Sequence, residues 1–245
     1  PHHRLRRPHH RRPPAPFRAV CHRAGPAAPW PDPRCAPPAA PTPGPARKPG
    51  VRTQAGPLAP VAAGSVWGWG VNGAGELGNG TTVSTAAPVQ VVGPGGTGTL
   101  GSVHAVAAGV DYSLAAKSDG TLWVWGDNSE GSLGTPSGDT CGTGSSAVPC
   151  SKTPIQAAGL SGVTAVAGGQ GHSLALKGDG TVWAWGDNSW GQLGAPSGDT
   201  CGTGSDTFPC SKTPVQITGL ANVAQIAAGG DFSLALKADG TLWAW

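Results

Sequence analysis

The chain has 245 residues, 38% of them hydrophobic, with 41 glycines, 25 prolines, ten tryptophans, six cysteines, no methionine and a formal net charge of +3. That small charge hides two unlike halves: residues 1–60 hold all ten arginines against a single acid, Asp32, and stand near +10, whereas residues 61–245 carry five lysines against twelve acids and stand near −7. No run of 18 apolar residues exists, which excludes a helical membrane span, and no stretch reads as a signal peptide.

Residues 1–60 hold 17 of the prolines and almost no Val, Ile or Leu. They bury too little apolar surface to offset chain entropy, so a disordered Pro/Arg-rich tail is expected, with polyproline stretches around Pro37–Pro45. Its Pro/Arg/Ala/His bias is also what an out-of-frame reading of GC-rich DNA gives. The arginines could neutralise phosphates, but only Phe17 and Trp30 interleave with them. The acidic remainder argues against nucleic acid on residues 61–245, which leaves the tail as the one place for it.

From residue 61 the chain repeats itself. Residues 126–185 and 186–245 align without gaps at a period of 60, with 40 of the 60 positions identical, and a shorter copy runs from Gly70 to Trp125. Repetition at this period marks an array whose units bury their apolar faces against one another. The chain starts at Pro1 without Met and stops at Trp245 inside a strand pattern, so it reads as a fragment at both ends, with the repeat region truncated at the C-terminus.

Each unit contains four strand-like stretches. In one unit these are Val163–Ala167, His172–Lys177, Thr181–Trp185 and Pro214–Ile217. Their period-two alternation argues for strands, and no stretch shows a 3.6-residue period. Asp119-Gly120, Asp179-Gly180 and Asp239-Gly240 sit between alternating runs and predict type I′ hairpin turns. The expected fold is all-β: a partial β-propeller of four-stranded antiparallel blades, about three to four of seven, over residues 61–245. A seven-bladed ring needs roughly 350 residues at about 50 per blade, so the terminal blades should expose edge strands.

Tryptophans come in pairs spaced by two: Trp67/Trp69, Trp123/Trp125, Trp183/Trp185 and Trp243/Trp245. Such spacing places each pair on one sheet face, either as a ligand platform or, the reading preferred here, as packing between neighbouring blades. Trp190 stands apart. Its counterpart one unit earlier is Glu130, so the position should be exposed and is a candidate contact anchor. Cys141/Cys150 and Cys201/Cys210 share a C-x8-C spacing inside an insertion that the first unit lacks. Disulfides stapling the inserted loops are expected, and they would place the protein outside the cytosol, extracellular or at the cell surface. Zinc spacing is absent, and Cys21 and Cys35 receive no role. Asp127-Asn128-Ser129 and Asp187-Asn188-Ser189 lack the alternation of a calcium loop and read as Asx turns. His172 aligns with Tyr112 and Phe232, which fits packing and not acid–base chemistry. With no nucleophile, phosphate loop or metal cluster in evidence, the expectation is no enzyme and no cofactor.

The blocks Gly171–Gly194, Asp111–Gly134 and Asp231–Trp245, with an earlier copy around Trp69-Gly70 and Gly75–Gly78, resemble the repeat of the regulator of chromosome condensation family, in the wording of its bacterial branch. The resemblance implies a seven-bladed β-propeller. Its members include guanine-nucleotide exchange factors for small GTPases, domains beside ubiquitin-ligase modules and bacterial inhibitor proteins that bind a partner over one face. Taken with the residues, the reading is a non-enzymatic protein–protein interaction scaffold. Guanine-nucleotide exchange on a small GTPase in the cytoplasm, or the repeat region of a larger bacterial surface protein, are the rivals. The partner-facing candidates are the stapled loops Ser137–Cys150 and Ser197–Cys210, with Val148, Asp206 and Phe208 at their variable tips, together with Trp190.

Overall fold

A computed structural model describes residues 64–245; the expected tail lies outside the described residues. The described part is all-β, with fifteen strands in four antiparallel sheets. β1 (Trp67–Gly70) pairs with β2 (Thr85–Gln90). The first full sheet runs in the order β3 (Val103–Ala108), β4 (Tyr112–Lys117), β5 (Leu122–Asp127), β7 (Val148–Gln156), β6 (Asp139–Cys141). The second repeats it with β8 (Val163–Gly168), β9 (His172–Lys177), β10 (Val182–Asp187), β12 (Asp206–Gln216) and β11 (Asp199–Thr203). The last sheet contains β13 (Val223–Ala228), β14 (Ser233–Lys237) and β15 (Leu242–Ala244).

Each full sheet keeps the four expected strands and adds a fifth. Asp139–Cys141 and Asp199–Thr203 are not loops; they pair with the first residues of β7 and β12 as hairpins. The proline of each fourth strand sits where the ladder is already broken: register shifts between Ala184 and Gly186 opposite Val215 and Ser211, so Pro214 costs no paired N–H.

The Asp-Gly turns differ from type I′. Gly120 lies at φ +80° while Asp119 has ordinary negative φ. Gly120 N–H donates to the Lys117 carbonyl at 2.8 Å and Lys117 N–H to the Thr121 carbonyl at 2.9 Å. This is a type I turn closed by a left-handed glycine, the three-residue hairpin loop. The reason is local: the Asp119 carboxylate accepts from the Thr121 N–H at 3.0 Å and from its hydroxyl, which holds Asp119 out of the left-handed region.

The innermost strands β3, β8 and β13 lie side by side, so the sheets fan out as neighbouring blades. One device joins each blade to the next. The Ser132 carbonyl accepts both the Trp185 indole at 2.7 Å and the Ser173 hydroxyl at 2.9 Å. Glu76 O does the same for Trp125 and Ser113, and Gln192 O for Trp245 and Ser233. The rings lie against Gly78, Gly134 and Gly194. These three have φ near +60°, and a Cβ there would come within about 2.8 Å of the indole. Trp185 then completes a core shared by two blades, with Tyr112, Leu114, Leu122 and Val124 of one and Val163 and Ala175 of the other.

The tryptophan pairs therefore split. Trp125 and Trp185 are buried, whereas Trp123 and Trp183 are half-buried beneath the ammonium groups of Lys117 and Lys177, 5.8 and 5.7 Å from the ring centroids. Trp243, read as a packing residue, is 50% exposed, because its sheet has three strands and β15 has a neighbour on one side alone. Trp67 and Trp69 on β1 are likewise exposed.

Candidate functional site

The blade geometry creates two unlike rims. The lower rim carries the Asp-Gly turns. There Asp119, Asp179 and Asp239 sit 3.4, 3.4 and 3.7 Å from Lys117, Lys177 and Lys237. The hydroxyls and N–H groups of Thr121, Thr181 and Thr241, assisted by those lysines, hold the three carboxyls below the usual carboxylate range. The lower rim is short, regular and charge-balanced.

The upper rim carries the longer connections. Loops 109–111, 169–171 and 229–231 cross it, and residues 128–138 and 188–198 leave β5 and β10 there. Asn128 and Asn188 pin the latter. Asn188 Oδ1 accepts the Leu193 N–H at 3.1 Å, and its Nδ2 donates to Ala195 O and Ser197 Oγ at 3.2 and 3.1 Å. Asn128 repeats this set with Leu133, Thr135 and Ser137. Asp127 and Asp187 accept from the N–H and hydroxyl of Ser129 and Ser189, as Asx turns do.

Trp190 protrudes from this frame at 79% exposure. Its N–H donates to Gln192 Oε1 at 2.9 Å, and Gln192, fully buried, donates to Asp187 at 2.7 Å. The indole is thus displayed on a backbone fixed from beneath. Its counterpart Glu130 behaves differently, lying half-buried against Gly171 of the next blade. Burial pushes the Glu130 carboxyl above its ordinary value, and the charges of Asp187, Asp127, Asp231 and Asp111 push the same way.

Cys141–Cys150 and Cys201–Cys210 are disulfides, with Cα atoms 5.8 Å apart in each and all four sulfur-bearing residues buried. Each bridge lies across the hairpin that extends beyond the last residue of β5 or β10, so the tips project from the upper rim. Cys141 also packs on Ala74 in the loop of the preceding unit. At the tips Asp206 is exposed, while Val148 and Phe208 are half-buried opposite Cys141 and Cys201. The hairpins and Trp190 therefore share one rim.

Buried beneath that rim, His172 has Nε2 3.0 Å from Ser233 Oγ, and burial pushes its pKa down against the pull of Asp187 and Asp231. Tyr112 donates its hydroxyl to the His172 carbonyl, and burial pushes its pKa far up. Neither is placed to exchange protons with a substrate. A cavity of about 480 Å³ lies between β1 and the β3–β4 hairpin, lined mainly by apolar groups such as Trp67, Val106 and Trp125. Of its lining hydroxyls, Ser113 is already committed to the Glu76 carbonyl and Tyr112 to the His172 carbonyl. Among the described residues no group of His, Cys, Asp and Glu could hold a metal ion, and no helix is long and apolar enough to cross a membrane.

Blades stacked with their inner strands side by side, with one elaborated rim, define a β-propeller. The chain belongs to the regulator of chromosome condensation (RCC1) repeat family: the family profile matches residues 63–116, 119–176 and 179–236. Human E3 ubiquitin-protein ligase HERC2 is 32% identical over 194 residues, which is 77% of this chain and 4% of that protein. The human protein named probable E3 ubiquitin-protein ligase HERC6 is 35% identical over 147 residues, 58% of this chain and 13% of it. The crystal structure of Prp20p from Saccharomyces cerevisiae superposes with a TM-score of 0.58 at 24% identity, covering 74% of this chain and 41% of that one. The chain thus spans a small part of the curated relatives it matches. Those relatives also correct the expectation that the protein is not an enzyme: proteins named as ubiquitin ligases carry these repeats, so lack of a catalytic motif within the repeats does not classify the whole protein.

Asn128 and Asn188, expected only as parts of Asx turns, also pin the loops that follow them, and the glycines that seat the indoles carried no expectation. Their signal was available, since both recur at the 60-residue period.

Proposed function

We propose that these blades act in protein–protein recognition and that the upper rim is the contact surface. The observation that carries this is Trp190, a large apolar side chain left in water on a loop whose backbone is held by Asn188 and Gln192. A rigid exposed indole costs little ordering entropy on binding and supplies a contact anchor. The disulfide-framed tips flank it, with Val148 in one and Asp206 and Phe208 in the other differing on an otherwise repeated frame. Buried disulfides on both hairpins fit an oxidising compartment, extracellular or at a bacterial cell surface, where the repeats would serve as one region of a longer protein.

The test is capture of binding proteins with the wild-type chain, with Trp190→Ala plus Phe208→Ala, and with the lower-rim control Thr181→Ala. At least one captured protein should fall roughly tenfold with the first variant and stay constant with the second. Equal capture by all three would refute the rim assignment.

Family membership supports a rival, guanine-nucleotide exchange on a small GTPase. It predicts accelerated nucleotide release from a GTPase and reduced cysteines. Thiol labelling of the denatured, unreduced protein separates the two: modification of Cys141, Cys150, Cys201 and Cys210 favours the cytoplasmic rival.

A further inference from the structure

Resting on that rim reading, we propose that the upper rim takes an arginine- and lysine-rich segment of its partner, with Trp190 as the stacking platform. The charge of residues 61–245 is polarised along the strand direction. Nine of the twelve acids in residues 61–245 lie on the upper loops, strand ends and hairpins, with Lys152 and Lys212 as the cations at that end. The other three are the lower-rim aspartates, each matched by its own lysine. The net charge of about −7 on residues 61–245 therefore belongs to one rim.

The acids are gathered, not scattered. The Asp127 N–H donates to the Asp111 carbonyl at 2.8 Å. The Gln170 N–H bonds Gly230 O across the blade boundary at 3.0 Å, which brings Asp231 beside the preceding blade. Glu130 reaches over to Gly171, close to Asp187. Among the described residues no lysine pairs with any of these five carboxylates, and the Glu130 carboxylate accepts no hydrogen bond. They repel one another, and an arriving cation relieves that repulsion.

Trp190 shares this rim, its backbone N–H tied to Asp187 through the buried Gln192 and its indole exposed. An indole face attracts cations through its quadrupole, and guanidinium is the cation that also stacks flat upon it. Carboxylates take the same group in bidentate fashion. An exposed indole on the same rim as five carboxylates thus favours arginine over lysine and disfavours an acidic or phosphate-bearing partner.

The test uses the full chain and fluorescently labelled octa-arginine, read by anisotropy, with a Gly-Ser peptide of equal length as control. Octa-arginine should bind and the neutral peptide should not. Affinity should fall at least about tenfold as salt rises from about 0.01 to about 0.15 M, where the screening length drops from roughly 30 to 8 Å. Trp190→Ala should weaken binding roughly three- to tenfold, and Glu130→Gln with Asp231→Asn roughly tenfold. The lower-rim pair Lys177→Gln with Asp179→Asn should bind like wild type. All are exposed or half-exposed positions, and circular dichroism confirms folding of each variant. No binding of octa-arginine, or binding unmoved by the upper-rim variants, overturns the proposal. Should a captured partner still be lost on Trp190→Ala in that case, the rim reading stands and the basic chemistry alone is wrong.

Discussion

Replacing Trp185 with alanine tests how the blades are held together. The side chain is fully buried between two sheets and seated on Gly134. Truncation removes the apolar transfer energy of the ring and leaves a void whose walls are paired strands, which cannot collapse into it. Such substitutions cost about 3–5 kcal/mol. The lost hydrogen bond adds little, because the Ser132 carbonyl keeps the Ser173 hydroxyl at 2.9 Å. With a urea m-value near 2 kcal/mol/M the unfolding midpoint should drop by about 1.5–2.5 M. Trp190→Ala removes an indole of the same size from water-exposed surface and should change stability by less than about 0.5 kcal/mol. Unfolding is followed by far-ultraviolet circular dichroism and by tryptophan fluorescence together, since uncoupled blades would show two separate transitions. Equal midpoint shifts for Trp185→Ala and Trp190→Ala would refute the inter-blade clamp.

Further outcomes follow from other sites. Replacing Cys141 and Cys150 together with serine opens a loop of ten residues and should cost about 2.5–3 kcal/mol, measured as a urea midpoint shift against wild type. The folded-state pKa of Glu130 is raised, so its contribution to stability is fully present below the unfolded value of 4.5 and is lost as pH rises through the folded pKa. Glu130→Gln should therefore be more stable than wild type at pH 7, with the advantage shrinking toward pH 4 in parallel denaturation series; an advantage that grows as pH falls would contradict this. Tyr112 is the single tyrosine of the chain and is buried with its hydroxyl bonded to backbone. Ultraviolet titration should show no phenolate near the ordinary pKa of about 10, and ionisation there in the folded protein would place Tyr112 at the surface.

Much of this fold was legible because the repeat converts weak local signals into a strong one. Alternation in HSLALK and TVWAW pointed to strands at His172–Lys177 and Thr181–Trp185, which the fold forms as His172–Lys177 and Val182–Asp187, and their recurrence after 60 residues pointed to blades. Exposure of Trp190 was legible from its exchange with Glu130. The fifth strand was not, because Asp139–Cys141 and Asp199–Thr203 are short and polar, with Gly, Thr and Ser around them, and acquire strand geometry by pairing with β7 and β12. The turn type was missed because Asp-Gly serves both two- and three-residue hairpins; the Thr121 hydroxyl, outside the dipeptide, decides between them. The acidic field was hidden for a different reason. Asp111, Glu130 and Asp231 lie far apart in sequence and meet only when blade stacks on blade.

Hydroxyl-radical footprinting of the tryptophans, read residue by residue, tests a rigid indole displayed on a stacked-blade frame more directly than any single variant. Trp190 should oxidise fast while Trp125 and Trp185 stay protected, and a bound partner should shield Trp190 and leave the other two unchanged. Trp185 reacting as fast as Trp190, or a bound partner that leaves Trp190 fully reactive, would contradict it.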